Sequence, residues 1–368
     1  MENTRRRFIR NSASLASLSL LGKTPGDLGL KSAVEYMQDG GLKFCLAHFY
    51  GMNKQRMALS RQMKVLGAVG GIHPGNVGLS GVKPWDIQAV VAVKDAWKKE
   101  GLTFRVVEGP PAISEKTKLA LDGRDEEIDN FITLMKNLSK AGIDTICYNW
   151  MPVISWARTS LDRSSRGGAL VSAFDIDHNK DESLTKYGSF TKDMMWKNLE
   201  YFLKAVIPEA EKAGIKLALH PDDPPVDAIR GIPRIMTSAD AFKRLIEIVP
   251  SPSNGITLCQ GTFATMGEDI PSVINYFGKK EKIHFVHFRD IRGDSNHFEE
   301  TFHDDGKTDM YQAMKTYYDI GFRGPMRPDH VPTMAGDSNE HPGYSNIGAL
   351  FAIGYMRGLI ESIAKASR

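Results

Sequence analysis

An eightfold alternation constrains this chain more than any other feature. A short apolar run is followed by a longer amphipathic segment, and the pair recurs from residue 42 to the C-terminus. The runs are LKFCLAH (42–48), AVGGIH (68–73), LTFRVVE (102–108), IDTICYN (143–149), IKLALH (215–220), GITLCQ (255–260), KIHFVHF (282–288) and GPMRPDH (324–330). Each has the length and buried character of a strand in a parallel sheet. Between them, 125–141 (DEEIDNFITLMKNLSKA) carries the helical period, with Ile128, Phe131, Ile132, Met135 and Leu138 on one stripe. Segments 191–213 and 347–365 read the same way. Gly67, Gly101, Gly142, Gly214 and Gly321 stand just before five of the runs, where glycine is the expected helix C-cap.

Eight strands, each leading into a helix, predict an α/β fold: a (β/α)8 TIM barrel in one domain over residues 41–368. A doubly wound open sheet is the alternative, but the glycines of GGIHPGNVG lack the spacing of a dinucleotide fingerprint, and this stretch reads as a turn. A chain of 368 residues, 42% of them hydrophobic, is long enough for one large core. The net charge of +3 shows no basic stripe, which argues against a nucleic-acid partner. Cys45, Cys147 and Cys259 are odd in number and widely spaced, so they make no disulfide framework. Two connections, 150–190 and 289–307, are long; as structureless excursions after strands they are expected at the C-terminal face, where barrel active sites lie.

Residues 1–40 form an N-terminal extension. Arg5, Arg6, Arg7 and Arg10 precede an apolar stretch from Ala13 to Leu21, too short for a bilayer span of roughly 20 apolar residues. This order of charge and apolar run is that of an export signal, and the stretch Thr4 to Arg10 resembles a twin-arginine signal. A basic amphipathic helix is the alternative. The expectation is a periplasmic location if the signal is used and a cytoplasmic one otherwise, with no stable membrane insertion.

Polar residues sit where the apolar runs stop: His73, Glu108, Asn149, His220, Cys259, His287, and Asp329 with His330. In a barrel these positions converge on one mouth. Four of them, His220, Cys259, His287 and Asp329, have side chains of the kind that bind divalent metals, and their separations of 39, 28 and 42 residues match about one βα unit each. Two imidazoles, a thiolate and a carboxylate suit Mn2+, Fe2+ or Zn2+ better than Mg2+. Taken singly, each could instead be a core residue or a turn cap. His284 competes with His287, but the two point to opposite faces and His287 is nearer the mouth. Arg158, Arg289 and Arg327 lie at or just past strand ends, where guanidinium forks would hold the carboxylate of an acidic substrate; surface or loop salt bridges are the alternative. His73, Glu108 and Asn149 join them as substrate-binding candidates. Asp222 and Asp223 either touch the ligand or shape a proline-stiffened turn.

HPDDPP (220–225), LCQGT (258–262), VHFRD (286–290), ETFHDDGKTDM (300–310), MRPDH (326–330) and YNWMPV (148–153), with WARTS (156–160) and PGYSNIGALFAIGYMRGL (342–359), together resemble the mannonate dehydratase family. The likeness runs from about residue 42 to the C-terminus. It implies a xylose-isomerase-like barrel, conversion of D-mannonate to 2-dehydro-3-deoxy-D-gluconate in hexuronate catabolism, and Mn2+ or Fe2+ on His220, Cys259, His287 and Asp329. It also marks His330 and Tyr344 as acid–base groups. A homo-oligomer, dimer or higher, is expected. Two features depart from the family: the N-terminal extension, and AHFYGM in the first strand, where the family tends to have an arginine before Trp-Tyr-Gly. His48 stands in that arginine's place and leaves substrate specificity open.

Dehydration of a 2,3-dihydroxy acid needs a base for the proton beside the carboxylate, an acid for the departing hydroxyl, and a stabiliser for the enediolate charge. The residue types above supply all three, without deciding which of His330 and Tyr344 is the base. Two other readings use the same parts: a metal-dependent sugar isomerase or epimerase, and a non-catalytic sugar-acid-binding protein.

Overall fold

All eight apolar runs form parallel strands, and the strands close on themselves. They are β1 (Lys43–Ala47), β2 (Gly67–Gly70), β3 (Thr103–Glu108), β4 (Thr145–Asn149), β5 (Lys216–His220), β6 (Asn254–Cys259), β7 (Ile283–Phe288) and β8 (Pro325–Pro328). The structure, a computed structural model, describes residues 42–179, 181 and 183–367. The N-terminal extension with its twin-arginine-like stretch therefore lies outside the described residues. Each strand pairs with its sequence neighbours, and β1 completes the ring by pairing with both β2 and β8.

The expected helices also form, as Arg124–Lys140, Lys192–Ala213 and Asn346–Ala366. Thr191 caps the second of these by accepting from the Met194 amide, and Gly214 ends it at φ +67°, a left-handed conformation that glycine adopts without a Cβ clash. Gly101, Gly142 and Gly321 also have positive φ. Gly67 does not, so its expected role as a cap is corrected. Lys64 takes the left-handed position at φ +53°, and Gly67 lies inside β2, where a Cβ would meet Cys45 Sγ at 2.4 Å and the Phe44 carbonyl oxygen at 2.7 Å. Close approach of β1 and β2 is what requires glycine there.

Cys45, Val69, Val106, Cys147, Ala218 and Phe285 point inward and form a buried plug, with Phe49 packed against it. This plug closes the barrel beneath the mouth. The outer faces of the strands and the helices form the larger core. The Asn346–Ala366 helix is long and apolar enough to cross a membrane by length and composition, but Ala352, Ile353, Met356 and Ile360 are buried, and it packs on the Lys54–Gln62 and Met310–Asp319 helices.

The two long excursions are not structureless. Ser160–Ser164 and Leu170–Asp175 from the first, and Ile291–Gly293 and His297–Glu300 from the second, form one four-stranded antiparallel sheet beside the mouth. His297 pairs with Asp175, and Phe298 with Phe174. Neither excursion could satisfy its backbone groups alone; each supplies the edge the other needs.

Candidate active site

Register sets the strand ends side by side. Asn149 pairs with His220, Cys259 with His287, and His287 with Arg327. Above the plug they open into a cavity of about 500 Å³ lined by Glu108, Asn149, His220, His287, Arg327, Asp329, His330 and Tyr344, together with Asp223 and the aromatic rings of Phe49, Tyr50, Tyr148 and Trp156. Of the expected site residues, Cys259, Arg158 and Arg289 lie behind this wall. His73 opens instead into a separate depression with Asn76, which shares Phe49 and Tyr50 with the main cavity.

Cys259, His220 and His287 each bring one donor atom to within 4.8 Å of the other two. The Nδ1 of His220 donates to the Pro221 carbonyl at 2.7 Å, which leaves Nε2 with its lone pair, 3.1 Å from His287 Nδ1. The same His287 nitrogen lies 3.5 Å from Asp329 Oδ2, and Cys259 Sγ lies 4.0 Å from that oxygen. Cys259 Sγ accepts from Thr262 Oγ1 and from Arg289 Nε, both at 3.2 Å. Burial pushes the thiol up, but the Arg289 guanidinium, followed by His220, overcomes it and holds Cys259 well below its ordinary range. Asp329 is held well below the usual carboxylate range in the same way, by Arg327, His330 and His287 acting against burial.

The donor set fits a divalent transition ion. Donors held about 2.0–2.3 Å from one ion are about 3.3–3.8 Å apart, and the separations of 3.1, 3.5 and 4.0 Å found here bracket that range. Charge points the same way. Within this buried network the guanidiniums of Arg158, Arg289 and Arg327, with the imidazoles of His287 and His330 beside them, face the carboxylates of Glu108, Asp223, Glu300 and Asp329 and the Cys259 sulfur. Burial and Arg327 favour a neutral His287, yet Glu108 and Asp329 hold its pKa well above the ordinary value. The positive charge that a proton supplies on His287 is one that a metal ion could supply instead.

The arginines are committed to protein groups. Arg327 bonds Glu108 through Nε (3.1 Å) and Nη2 (2.8 Å), and Asp329 through Nη1 (2.5 Å). Arg158 bonds Asp223 and Glu300, each at 2.6 Å. Arg289 bonds Asp223 at 2.9 Å and Thr262 at 2.7 Å, and also reaches Glu300. Of the pair left open by the sequence, Asp223 belongs to this network and lines the cavity, whereas Asp222 accepts from the Ile235 and Met236 amides. Asn149 uses its side-chain oxygen on Lys118 Nζ (3.0 Å) and the Met151 amide (3.1 Å). His48 supplies no positive charge: it is buried 5.0 Å from Trp97, and burial followed by Arg56 lowers its pKa to about 3.

Strand-end reasoning missed Glu300. It sits on the second excursion, with Oε1 2.8 Å from His330 Nδ1. The available signal was the ETFHDDGKTDM segment, which it begins. His330 itself has φ +43°, a left-handed conformation of the kind that functional sites hold at a cost. Tyr344 Oη lies 3.4 Å from Asp329 Oδ1, and burial together with Asp329 holds the phenol well above its usual pKa.

Fold and mouth together define a (β/α)8-barrel enzyme with its chemistry at the carboxyl ends of the strands. The chain belongs to the D-mannonate dehydratase (UxuA) family, whose model matches residues 43–186 and 178–368. A mannonate dehydratase of Streptococcus uberis is 36% identical over 311 residues, 77% of this chain and 88% of that protein. One of Thermotoga neapolitana is 34% identical over 339 residues, 82% and 91% of the two chains. The crystal structure of mannonate dehydratase from Streptococcus suis serotype 2 superposes with a TM-score of 0.80 at 31% identity, covering 89% of this chain and 94% of that one. A D-tagatose 3-epimerase-like protein, at TM-score 0.58 and 13% identity over 89% of this chain and all of that one, shares the fold. The protein is a hydro-lyase acting on a sugar acid.

Proposed function

We propose that this chain converts D-mannonate to 2-dehydro-3-deoxy-D-gluconate and water, with Mn2+ or Fe2+ held by His220, Cys259, His287 and Asp329. What carries the reading is Asp329: one carboxylate stands beside the donor cluster through Oδ2 and beside both acid–base groups through Oδ1, at 3.4 Å from Tyr344 Oη and 3.7 Å from His330 Nε2. When bound, the ion would stabilise negative charge developing on the substrate carboxylate and 2-hydroxyl.

His330 is the base. Its Nδ1 lies 2.8 Å from Glu300 Oε1, with the Arg289 guanidinium against the same nitrogen; assigned as donor to the carboxylate, it leaves on Nε2 the lone pair that takes the proton from C2. Tyr344 is the acid. Its raised pKa keeps the phenol protonated until the 3-hydroxyl departs, and the proton leaves with that hydroxyl as water. The resulting enol then tautomerises to the 2-keto acid. Asn149, its oxygen occupied, offers its amide N–H groups to a substrate hydroxyl, and the Phe49, Tyr50 and Trp156 rings supply the apolar wall of the cavity.

The test is incubation of Mn2+- or Fe2+-loaded protein with D-mannonate while following 2-keto-3-deoxy acid. Formation of that product is expected. A ketose or epimer without loss of water would favour an isomerase instead, and binding without turnover across aldonic acids would favour a binding protein.

A further inference from the structure

Away from the mouth, the four-stranded sheet carries a second group of metal-type donors. Asp175, Asp177 and His297 each bring one ligand atom to within 4.8 Å of the other two. Asp175 ends the Leu170–Asp175 strand, Asp177 lies in the turn after it, and His297 opens the facing strand opposite Asp175. The Nε2 of His297 lies 3.4 Å from Asp175 Oδ1 and 3.3 Å from Asp177 Oδ2. His178 approaches from the same turn, with Nδ1 2.8 Å from Asp175 Oδ2.

Spacing and charge separate this group from an ordinary surface ion pair. Donors about 2.0–2.2 Å from a tetrahedral zinc ion are about 3.3–3.5 Å apart. The two His297 separations fall in that range and lie beyond the usual N–H···O distance. Two carboxylates converge here, and among the described residues no lysine or arginine pairs with either; imidazoles are their partners. One imidazole and two carboxylates, with His178 hydrogen-bonded behind Asp175, form a set that suits a borderline ion such as Zn2+ better than Mg2+ or Ca2+.

We propose that Asp175, Asp177 and His297 form a second divalent-cation site, suited to Zn2+, which staples the two excursions together, with His178 holding Asp175 by a hydrogen bond. It is a structural site on the outer surface and takes no part in proton transfer. Its reach to the mouth is mechanical. The strand that His297 begins ends at Glu300, whose carboxylate orients His330. Fixing one end of that four-residue strand limits the freedom of the other.

The full chain, stripped with a chelator, is titrated calorimetrically with Zn2+. His297→Ala is expected to lower the stoichiometry by one equivalent relative to its parent, in both the wild-type and the Cys259→Ser backgrounds. Zn2+ is expected to raise the melting temperature less in the variant than in the parent. Asp177→Asn, at a side chain 81% exposed and therefore harmless to folding, is expected to lose the same equivalent. Unchanged stoichiometry in both His297→Ala and Asp177→Asn overturns the proposal. Failure of the mouth as a metal site would show separately, as no loss on Cys259→Ser.

Discussion

Glu300 reaches His330 from outside the barrel: its Oε1 lies 2.8 Å from His330 Nδ1 and also accepts from Arg158 at 2.6 Å. With Nδ1 donating to Glu300, Nε2 would present the lone pair that the proposed role of His330 as base requires. Glu300→Gln keeps the shape and removes the charge. It is expected to lower kcat by about 10²-fold with KM little changed, in the range that positioned acid–base groups contribute. Because it leaves Arg158 and Arg289 short of one carboxylate, stability should fall by up to about 3–5 kcal/mol. Steady-state kinetics and denaturant unfolding measure both. An unchanged kcat would refute the role of Glu300.

Tyr344→Phe separates the acid from the base. Loss of the phenol is expected to slow dehydration by about 10²-fold or more, while exchange of the C2 proton with deuterated solvent continues through His330. His330→Gln is expected to lose both reactions. The check is NMR of recovered substrate. Exchange that survives in His330→Gln and disappears in Tyr344→Phe would reverse the two assignments.

Chelation is expected to abolish turnover, and Mn2+ or Fe2+ to restore it. His220→Ala removes the imidazole whose Nε2 lies 3.1 Å from His287, and it is expected neither to retain the ion nor to recover, while its circular dichroism is expected to match that of the wild-type barrel. Elemental analysis reads the occupancy. Full occupancy in this variant would count against the ligand set.

Lys118 gives the pH dependence a definite sign. Burial lowers its pKa to about 8, with Glu115, Asp222 and Glu127 pulling it back up, against about 10.4 for an unfolded lysine. Below pH 8 both states carry the proton and this group adds no slope. Between about 8 and 10.4 the unfolded chain holds a proton that the folded one has released, so this contribution to stability rises with pH. Wild-type protein is therefore expected to gain stability relative to Lys118→Met between pH 7.5 and 9.5. A constant difference in unfolding free energy across that window would contradict the buried titration.

Gly67→Ala places a methyl group 2.4 Å from Cys45 Sγ and 2.7 Å from the Phe44 carbonyl. The backbone oxygen cannot swing aside, so β1 and β2 must separate. A loss of about 1–3 kcal/mol is expected, read as a lower denaturation midpoint at an unchanged slope.

The eight strands and the residues at their ends were legible in the sequence, for a physical reason. A strand buried on both faces must be apolar throughout, and a parallel barrel sends every strand's carboxyl end to one mouth. Local composition and chain direction therefore place His220, His287 and Asp329 on that mouth, and Cys259 just behind it, before any contact is known. The arginines show where this reasoning stops. Arg158, Arg289 and Arg327 were expected to hold substrate, yet their donors are largely spent on Asp223, Glu300, Glu108 and Asp329.

Only the tertiary structure decided those pairings, together with the sheet that joins 160–175 to 291–300 and the role of Glu300. Each depends on two segments far apart in the chain meeting in space, and neither segment carries a local periodicity that names the other. A buried guanidinium takes whichever carboxylate the folded backbone brings within reach. That choice is made by geometry and the low dielectric of the interior, after the strands have already been specified by their apolar pattern.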